Sequence, residues 1–264
     1  MSLKVHQLLK PTQEIEDYLR KDIPFNGLPL YDLTLAWDAC DWLIARSQLG
    51  LEGCLIVYKG DQGIFTFFTR GSKRAVLQLV TQMSYPSIFA IIPQNHKSIV
   101  EEHYHFLSEG KISLMSIEKS QFQLPKVHTA ERLTSDNLEE VDNFYKTTTA
   151  GAWNPTQLNI GPFYAIREGI QIASICGVIG VYSKRPGVAV IGNLATSPRY
   201  RGQGYGTSVL VAVINELFKT YRYVTLMVDT ENHNAIRIYN RLGFNLHNIL
   251  DIGVCQRREI GPRE

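Results

Sequence analysis

The 264-residue sequence is poor in the features that would mark it for a special environment. Its four cysteines, Cys40, Cys54, Cys176 and Cys255, lie far apart. None shows the paired spacing of a zinc site or a redox couple, so no metal is expected and the thiols read as reduced. No run reaches the roughly 18 apolar residues that would span a bilayer. Residues 1–10 lack the apolar stretch of a secretory leader, so a cytoplasmic protein without a membrane partner is expected. Charge of one sign is missing too: 27 basic against 25 acidic residues leave a net charge of +2. That balance provides no long-range field for nucleic acid, and no basic cluster with interleaved aromatics appears, so any anion site must be local. Low-complexity tracts are absent. With 44% hydrophobic and 20% charged residues, the chain is globular in composition and long enough for two modest domains.

Periodicity and turn residues lay out an α/β order. The first half predicts a polar helix over 11–22, stopped by Pro24 and Gly27. A second helix is predicted over 34–46, with Trp37, Cys40 and Leu43 on one stripe. Strands 54–59 and 64–70 follow, joined by a hairpin turn at 60–63. Then come a helix over 72–83, a strand over 87–92, a helix over 96–107 and a strand over 111–118. The polar stretch 119–126, containing Pro125, marks a boundary between domains 1–125 and 126–264. The second half predicts a strand over 127–133 and a helix over 135–147 with Ser135 as N-cap. A loop over 147–162 leads to strands 163–167 and 171–182, hinged at Glu168-Gly169. Strand 188–196, a glycine-rich turn, a helix to about residue 221, strand 223–229, helix 233–242 and a β segment from Phe244 complete the chain. The order of elements repeats between the halves. Arg70-Gly71 matches Arg201-Gly202, and Asn95-His96 matches Asn232-His233, which reads as an internal duplication.

Chemistry concentrates after strand 188–196, whose last residues are Leu194-Ala195-Thr196 and which leads into Ser197-Pro198. The turn Arg201-Gly202-Gln203-Gly204-Tyr205-Gly206, followed by Thr207, precedes a helix with Val209, Leu210, Val213, Ile214, Leu217 and Phe218 on one face. At a strand-to-helix junction the unpaired first-turn N–H groups and the positive end of the helix dipole converge. Glycines remove the Cβ atoms that would keep a phosphate from those amides. A diphosphate seat is the physical reading; the bland alternative is a tightly packed strand–helix connection. The dinucleotide fingerprint fails because its third glycine comes one residue early, and a Walker loop would need a lysine that is absent.

A second motif lies one strand downstream: Asn232-His233-Asn234-Ala235, Tyr239, then Leu242-Gly243-Phe244. Asn232 suits an N-cap, Ala235 and Tyr239 share a helix face, and Gly243 suits the helix end. Together the two motifs resemble the coenzyme A turn and the Asn-x-x-Ala…Tyr…Gly-Phe segment of the GNAT acetyltransferase superfamily. Thr196 stands where that family more often has valine. The resemblance covers residue 127 to the end. It implies a mixed α/β fold with a mostly antiparallel sheet flanked by helices, duplicated here with a degenerate N-terminal lobe.

The same resemblance implies acetyl-coenzyme A as co-substrate and transfer of its acetyl group directly to a primary amine. Cofactor contacts would come from Leu194, Ala195, Thr196, Arg201, Gly202, Gln203, Gly204, Tyr205, Gly206, Thr207, Asn232, Ala235 and Tyr239. The pantetheine arm would lie along strand 188–196 as an extra strand, with main-chain groups of Leu194 and Thr196 binding it and the thioester carbonyl. Tyr239 would be the catalytic acid for the departing thiolate; its bland reading is a core tyrosine. Many relatives carry a glutamate before the glycine turn, where this sequence has Asn193; Glu168 and Glu140 are the candidate bases. The missing carboxylate keeps a second reading open, a non-catalytic protein that senses acyl-coenzyme A. The segment Trp153-Asn154-Pro155 either lines the acceptor pocket or forms a surface loop pinned by its tryptophan. Trp37 and Trp42 read as core or interface, and His103 and His105 as surface residues. In the N-terminal lobe, bulky residues follow Arg70 and Glu102 stands near the place of Tyr239, so no coenzyme is expected there. The acceptor, a small-molecule or peptide amine, and the choice of monomer or homodimer stay open.

Overall fold

A computed structural model describes residues 2–60, 65–148 and 153–258. The first half carries β1 (Lys4–Gln7), α1 (Gln13–Leu19), α2 (Gly27–Leu35), β2 (Cys40–Ser47), β3 (Gly50–Lys59), β4 (Phe65–Gly71), α3 (Lys73–Thr81), β5 (Ser87–Pro93), α4 (Lys97–Glu101), β6 (Tyr104–Phe106) and β7 (Gly110–Glu118). The second carries β8 (Glu131–Leu133), α5 (Leu138–Thr148), β9 (Phe163–Glu168), β10 (Gln171–Tyr182), β11 (Val188–Thr196), α6 (Tyr205–Leu217), β12 (Tyr223–Asp229), α7 (His233–Leu242) and β13 (Asn245–Arg257). The chain divides into two compact units that are discontinuous in sequence. One comprises Met1–Asp22, Pro29–Ser113 and Asn248–Glu264; the other comprises Ile23–Leu28 and Leu114–His247. Among the described residues no helix is long and apolar enough to cross a membrane.

In the first unit the strand order is β1-β2-β3-β4-β5-β13. Neighbours from β1 to β4 are antiparallel, β4 and β5 are parallel, and β5 and β13 are antiparallel again. The parallel pair requires a crossover, which α3 supplies. Ser72 caps α3 by accepting from Ala75 N at 3.2 Å, and Ala75, Val76, Leu79 and Val80 are buried against the sheet. In the second unit the order β12-β11-β10-β9-β8 repeats this plan. The pairs β8–β9, β9–β10 and β10–β11 are antiparallel, and β11–β12 is parallel with α6 as its crossover. The predicted face of α6, from Val209 to Phe218, is buried throughout.

Several expectations are corrected. No helix covers 34–46; the helix is α2, and 40–47 is strand β2, which buries Cys40, Trp42 and Ile44 by alternation. Gly27, read as the stop of the preceding helix, is instead the first residue of α2, and Pro29 sits in the first turn, where no N–H is required. The helix expected over 96–107 is only the short α4, and Tyr104–Phe106 pairs with β13 instead. The strand expected over 127–133 shrinks to β8. Thr134, not Ser135, caps the segment leading into α5, with its side chain accepting from Asp136 N. The turn over 60–63 and the middle of the loop over 147–162 lie outside the described residues.

One cross-strand pair fixes the register that the site depends on. Gly177 of β10 faces Phe163 of β9, and the Phe163 ring lies over its bare Cα. A Cβ at Gly177 would meet that ring at 2.2–2.3 Å. Phe163 is fully buried beside Tyr145 and Trp153 and has nowhere to retreat. Gly177→Ala is therefore expected to lower unfolding free energy by about 1–3 kcal/mol through overpacking. Urea denaturation checks this; an unchanged midpoint would show that the ring moves freely.

Candidate functional site

Strands β11 and β12 pair only from Val188↔Tyr223 to Ile191↔Leu226. Beyond that point β11 runs on to Thr196 without its parallel neighbour, so one edge of 192–196 is unpaired on the β12 side. On the other side β10 continues to bond it, through Ile175↔Ala195 and Ser174↔Thr196. Ser174 Oγ donates to Ala195 O at 3.1 Å and shares a 2.8 Å hydrogen bond with Thr196 Oγ1. The strand end is thus held from one side and left open on the other.

Eight residues, 197–204, connect β11 to α6. Gly202 and Gly204 both take left-handed backbone, φ 79° and 82°, which an L side chain rarely adopts. Gly204 is the N-cap of α6, and the first helical bond runs from Ser208 N to Gly204 O at 3.1 Å. The N–H groups of Tyr205, Gly206 and Thr207 precede that bond and have no intrahelical acceptor. Gly206 faces the strand end: a Cβ there would stand 3.1 Å from Thr196 Oγ1. Arg201 folds back, its Nε 3.3 Å from Thr196 O.

These parts open onto a cavity of about 1380 Å³. Its wall includes Leu194, Ala195, Thr196, Arg201, Gly202, Gly204, Tyr205, Gly206, Thr207, Asn232 and Ala235. Of the residues singled out in the sequence, Gln203 and Tyr239 are not on that wall. Gln203 lies on the exposed turn, where its carbonyl accepts from His128 Nε2 at 3.1 Å. Tyr239 is 7% exposed within the hydrophobic core, its ring 5.8 Å from that of Phe244. Burial, reinforced by the nearby Cys176, pushes its phenol well above the ordinary tyrosine value. Asn232 caps α7 by accepting from Ala235 N at 3.1 Å, and Gly243 ends it at φ 98°.

Four basic side chains, Lys126, Arg201, Arg237 and Arg241, line the cavity together with His128. No aspartate or glutamate is among the described residues of that lining, and none of the four cations is paired with a carboxylate there. In a chain whose charges nearly balance, this excess leaves the cavity wall locally positive. The sequence reading missed Arg237 and Arg241, although Asn234, Arg237 and Arg241 recur at helical spacing on the exposed face of α7. It also missed His128 and Ser208: His128 N donates to Ser208 Oγ at 3.1 Å, and the His128 ring meets Tyr205 edge-on at 5.1 Å. No local pattern announces that contact, because 80 residues separate the partners.

The candidate bases are both engaged elsewhere. Glu140 forms a two-pronged ion pair with Arg167, Nη2 to Oε2 at 2.6 Å, and Glu168 accepts from the Tyr205 hydroxyl. Trp153 stacks on Tyr145 at 4.9 Å and donates to Asp142, so it pins its loop to the core. Asn154 caps the following turn through Thr156 N.

Among the described residues, the first unit has no equivalent gap between strand and helix. Only Ser72 separates the end of β4 from the start of α3, leaving no room for an amide cradle. Past the last β4–β5 pair, Phe68↔Ile91, the buried His96 bonds to Thr69 Oγ1 at 2.8 Å and Gly71 O at 3.0 Å. Its ring occupies the hydrogen-bonding groups of the strand end.

Residues 127–244 match the family model described as Acetyltransferase (GNAT) family. A putative GNAT-family acetyltransferase from Novosphingobium aromaticivorans has a similar structure, with TM-score 0.62 and 16% identity over 90% of this chain and all of the other. A tandem GNAT protein from the clavulanic acid biosynthesis pathway superposes at TM-score 0.62 and 13% identity, covering both chains completely. A Drosophila protein gives TM-score 0.73 at 10% identity over 95% of this chain and 99% of its own. No curated protein matches the chain. The family match and the shared tandem fold agree with the geometry of the second unit, and residues 127–244 form a domain of the acetyltransferase (GNAT) family.

Proposed function

We propose that the chain is an acetyl-coenzyme A-dependent N-acetyltransferase that moves the acetyl group directly to a primary amine, with its cofactor site in lobe 126–264 and a degenerate, non-binding lobe in 1–125. The observation that carries this reading is the cavity whose wall joins bare α6 amides to four cations and no described carboxylate. The diphosphate sits on the N–H groups from Gly202 to Thr207, with Arg201 beside it; Arg237 and Arg241 add attraction for the nucleotide phosphates. The pantetheine arm completes the open edge of β11 as a strand would, bonding main-chain groups at Leu194 and Thr196. Asn232 and Ala235 flank it from α7.

In the transfer step the amine lone pair attacks the thioester carbon, and the Leu194 N–H stabilises the oxyanion. The C–S bond then breaks with the electron pair on sulfur. Tyr239, which stands behind the cavity wall rather than on it, is the acid in this reading: it gives its proton to the leaving sulfur, and the amine proton passes through water to restore the phenol. A second reading, a sensor without turnover, draws support from one arrangement. The Asn193 carboxamide is committed to Gln157, and Glu140 and Glu168 are engaged by Arg167 and Tyr205, so neither candidate carboxylate stands ready to take the amine proton.

Calorimetric titration of the full chain with acetyl-coenzyme A, followed by thiol release against a panel of amines, tests the assignment. One equivalent per chain is expected, with affinity falling as salt rises because phosphate–cation contacts are screened. Two equivalents would overturn the degenerate lobe. No binding at millimolar ligand would overturn the function.

A further inference from the structure

The open strand end contains a backbone feature that the transfer reading does not require but that governs its key donor. Between the pairs Ile175↔Ala195 and Gly177↔Gly192, β10 has one residue, Cys176, while β11 has two, Asn193 and Leu194. This is a β-bulge, and Asn193 takes φ 55°, the one positive φ at a non-glycine among the described residues. Such a residue persists only where its surroundings over-determine it. Here they do so from two directions. The Tyr145 hydroxyl, reaching over from α5, donates to Asn193 O at 2.5 Å. The Asn193 side chain donates through Nδ2 to Gln157 Oε1 at 2.6 Å, and the same oxygen accepts from Asn154 N at 3.3 Å.

Tyr145 has no freedom to aim elsewhere. It is 5% exposed, stacked on Trp153 at 4.9 Å and 21°, and edge-on to Phe144 at 5.6 Å. In a trans peptide unit the C=O and the following N–H point in opposite directions. Holding Asn193 O towards α5 therefore turns the N–H of Leu194 away from α5, and Leu194 lies on the cavity wall.

We propose that Tyr145 is a positioning residue for acetyl transfer: by gripping the bulge carbonyl of Asn193 it aims the Leu194 N–H at the thioester oxygen. This rests on the acetyl-coenzyme A reading above. The residue touches no substrate and acts through one rigid peptide plane. Burial holds its phenol well above the ordinary tyrosine value, so the grip persists through any working pH.

The test needs no knowledge of the acceptor. Acetyl-coenzyme A carrying a ¹³C-labelled carbonyl is bound to the full chain, and the thioester C=O stretch is read by infrared difference spectroscopy. The wild-type chain is expected to shift the stretch below that of free ligand, as a hydrogen-bonded carbonyl does. Tyr145→Phe, which keeps the stacked ring, is expected to return the band towards the free position while the dissociation constant changes less than about threefold. With any amine that turns over, kcat should fall about tenfold at nearly constant KM, as for a weakened oxyanion donor. A variant that binds equally and keeps the full shift overturns the positioning role. If the wild-type chain does not bind the ligand, the function fails first and this inference with it; binding without any shift sinks the inference alone. Should Tyr145→Phe not fold, Gln157→Met releases the bulge from its other side and is expected to recover part of the free-ligand band. An unaltered band there overturns the proposal.

Discussion

Gly206→Val is expected to lower acetyl-coenzyme A affinity at least about a hundredfold while leaving the chain folded, a loss of roughly 2.7 kcal/mol in binding. Three features combine in this effect. Gly206 contributes one of the three α6 N–H groups without an intrahelical acceptor, and a branched side chain would cover its neighbours. Even the first added carbon would stand 3.1 Å from Thr196 Oγ1. That hydroxyl cannot swing aside without loss, because Ser174 Oγ holds it at 2.8 Å. Helix α6 itself should tolerate the change, since valine is no worse than glycine within a helix. Calorimetry with acetyl-coenzyme A, alongside a thermal melt, separates the two effects. Tight binding by a folded Gly206→Val chain would place the diphosphate somewhere other than this turn.

Tyr239→Phe carries the second large effect and decides between enzyme and sensor. Turnover is expected to fall on the order of a hundredfold, with acetyl-coenzyme A binding within about threefold of the wild-type value. The substitution removes one oxygen and keeps the ring against Phe244, and no described side chain accepts from the hydroxyl. Stability should therefore stay within about 1 kcal/mol. Steady-state thiol release and a urea melt provide the two readouts. Unchanged turnover would return Tyr239 to the role its burial alone suggests, a packing residue of the core. A wild-type chain that binds but never releases thiol would favour the sensor.

What the sequence made legible follows from how local the causes are. The glycine turn, the N-cap Asn232 and the C-cap Gly243 are each set within a few residues, and all three stand in the structure where the sequence puts them. The buried face of α6 was equally plain from its spacing. The unpaired edge of 192–196 was not, because a parallel pairing that stops early leaves no mark in either strand. Nor was the bulge at Asn193, whose conformation depends on Tyr145, 48 positions earlier in the chain. Strand β2 went unrecognised because Trp37, Cys40 and Leu43 happen to share a helical spacing, and tertiary pairing with β3 overrode it. The exchange of Ile23–Leu28 and Asn248–Glu264 between the units is invisible to any reading that cuts the chain at one boundary.

His96 sets what it would take to open the first unit to a ligand. Because its ring bonds both Thr69 and Gly71, the seam it fills is part of the scaffold. Removing the ring would strand the buried Thr69 hydroxyl and the part-buried Gly71 carbonyl before any new ligand could reward the change. The one-residue link at Ser72 would still offer no amides to receive it. A ligand engineered into this unit would therefore require both the ring removed and a link longer than Ser72 alone.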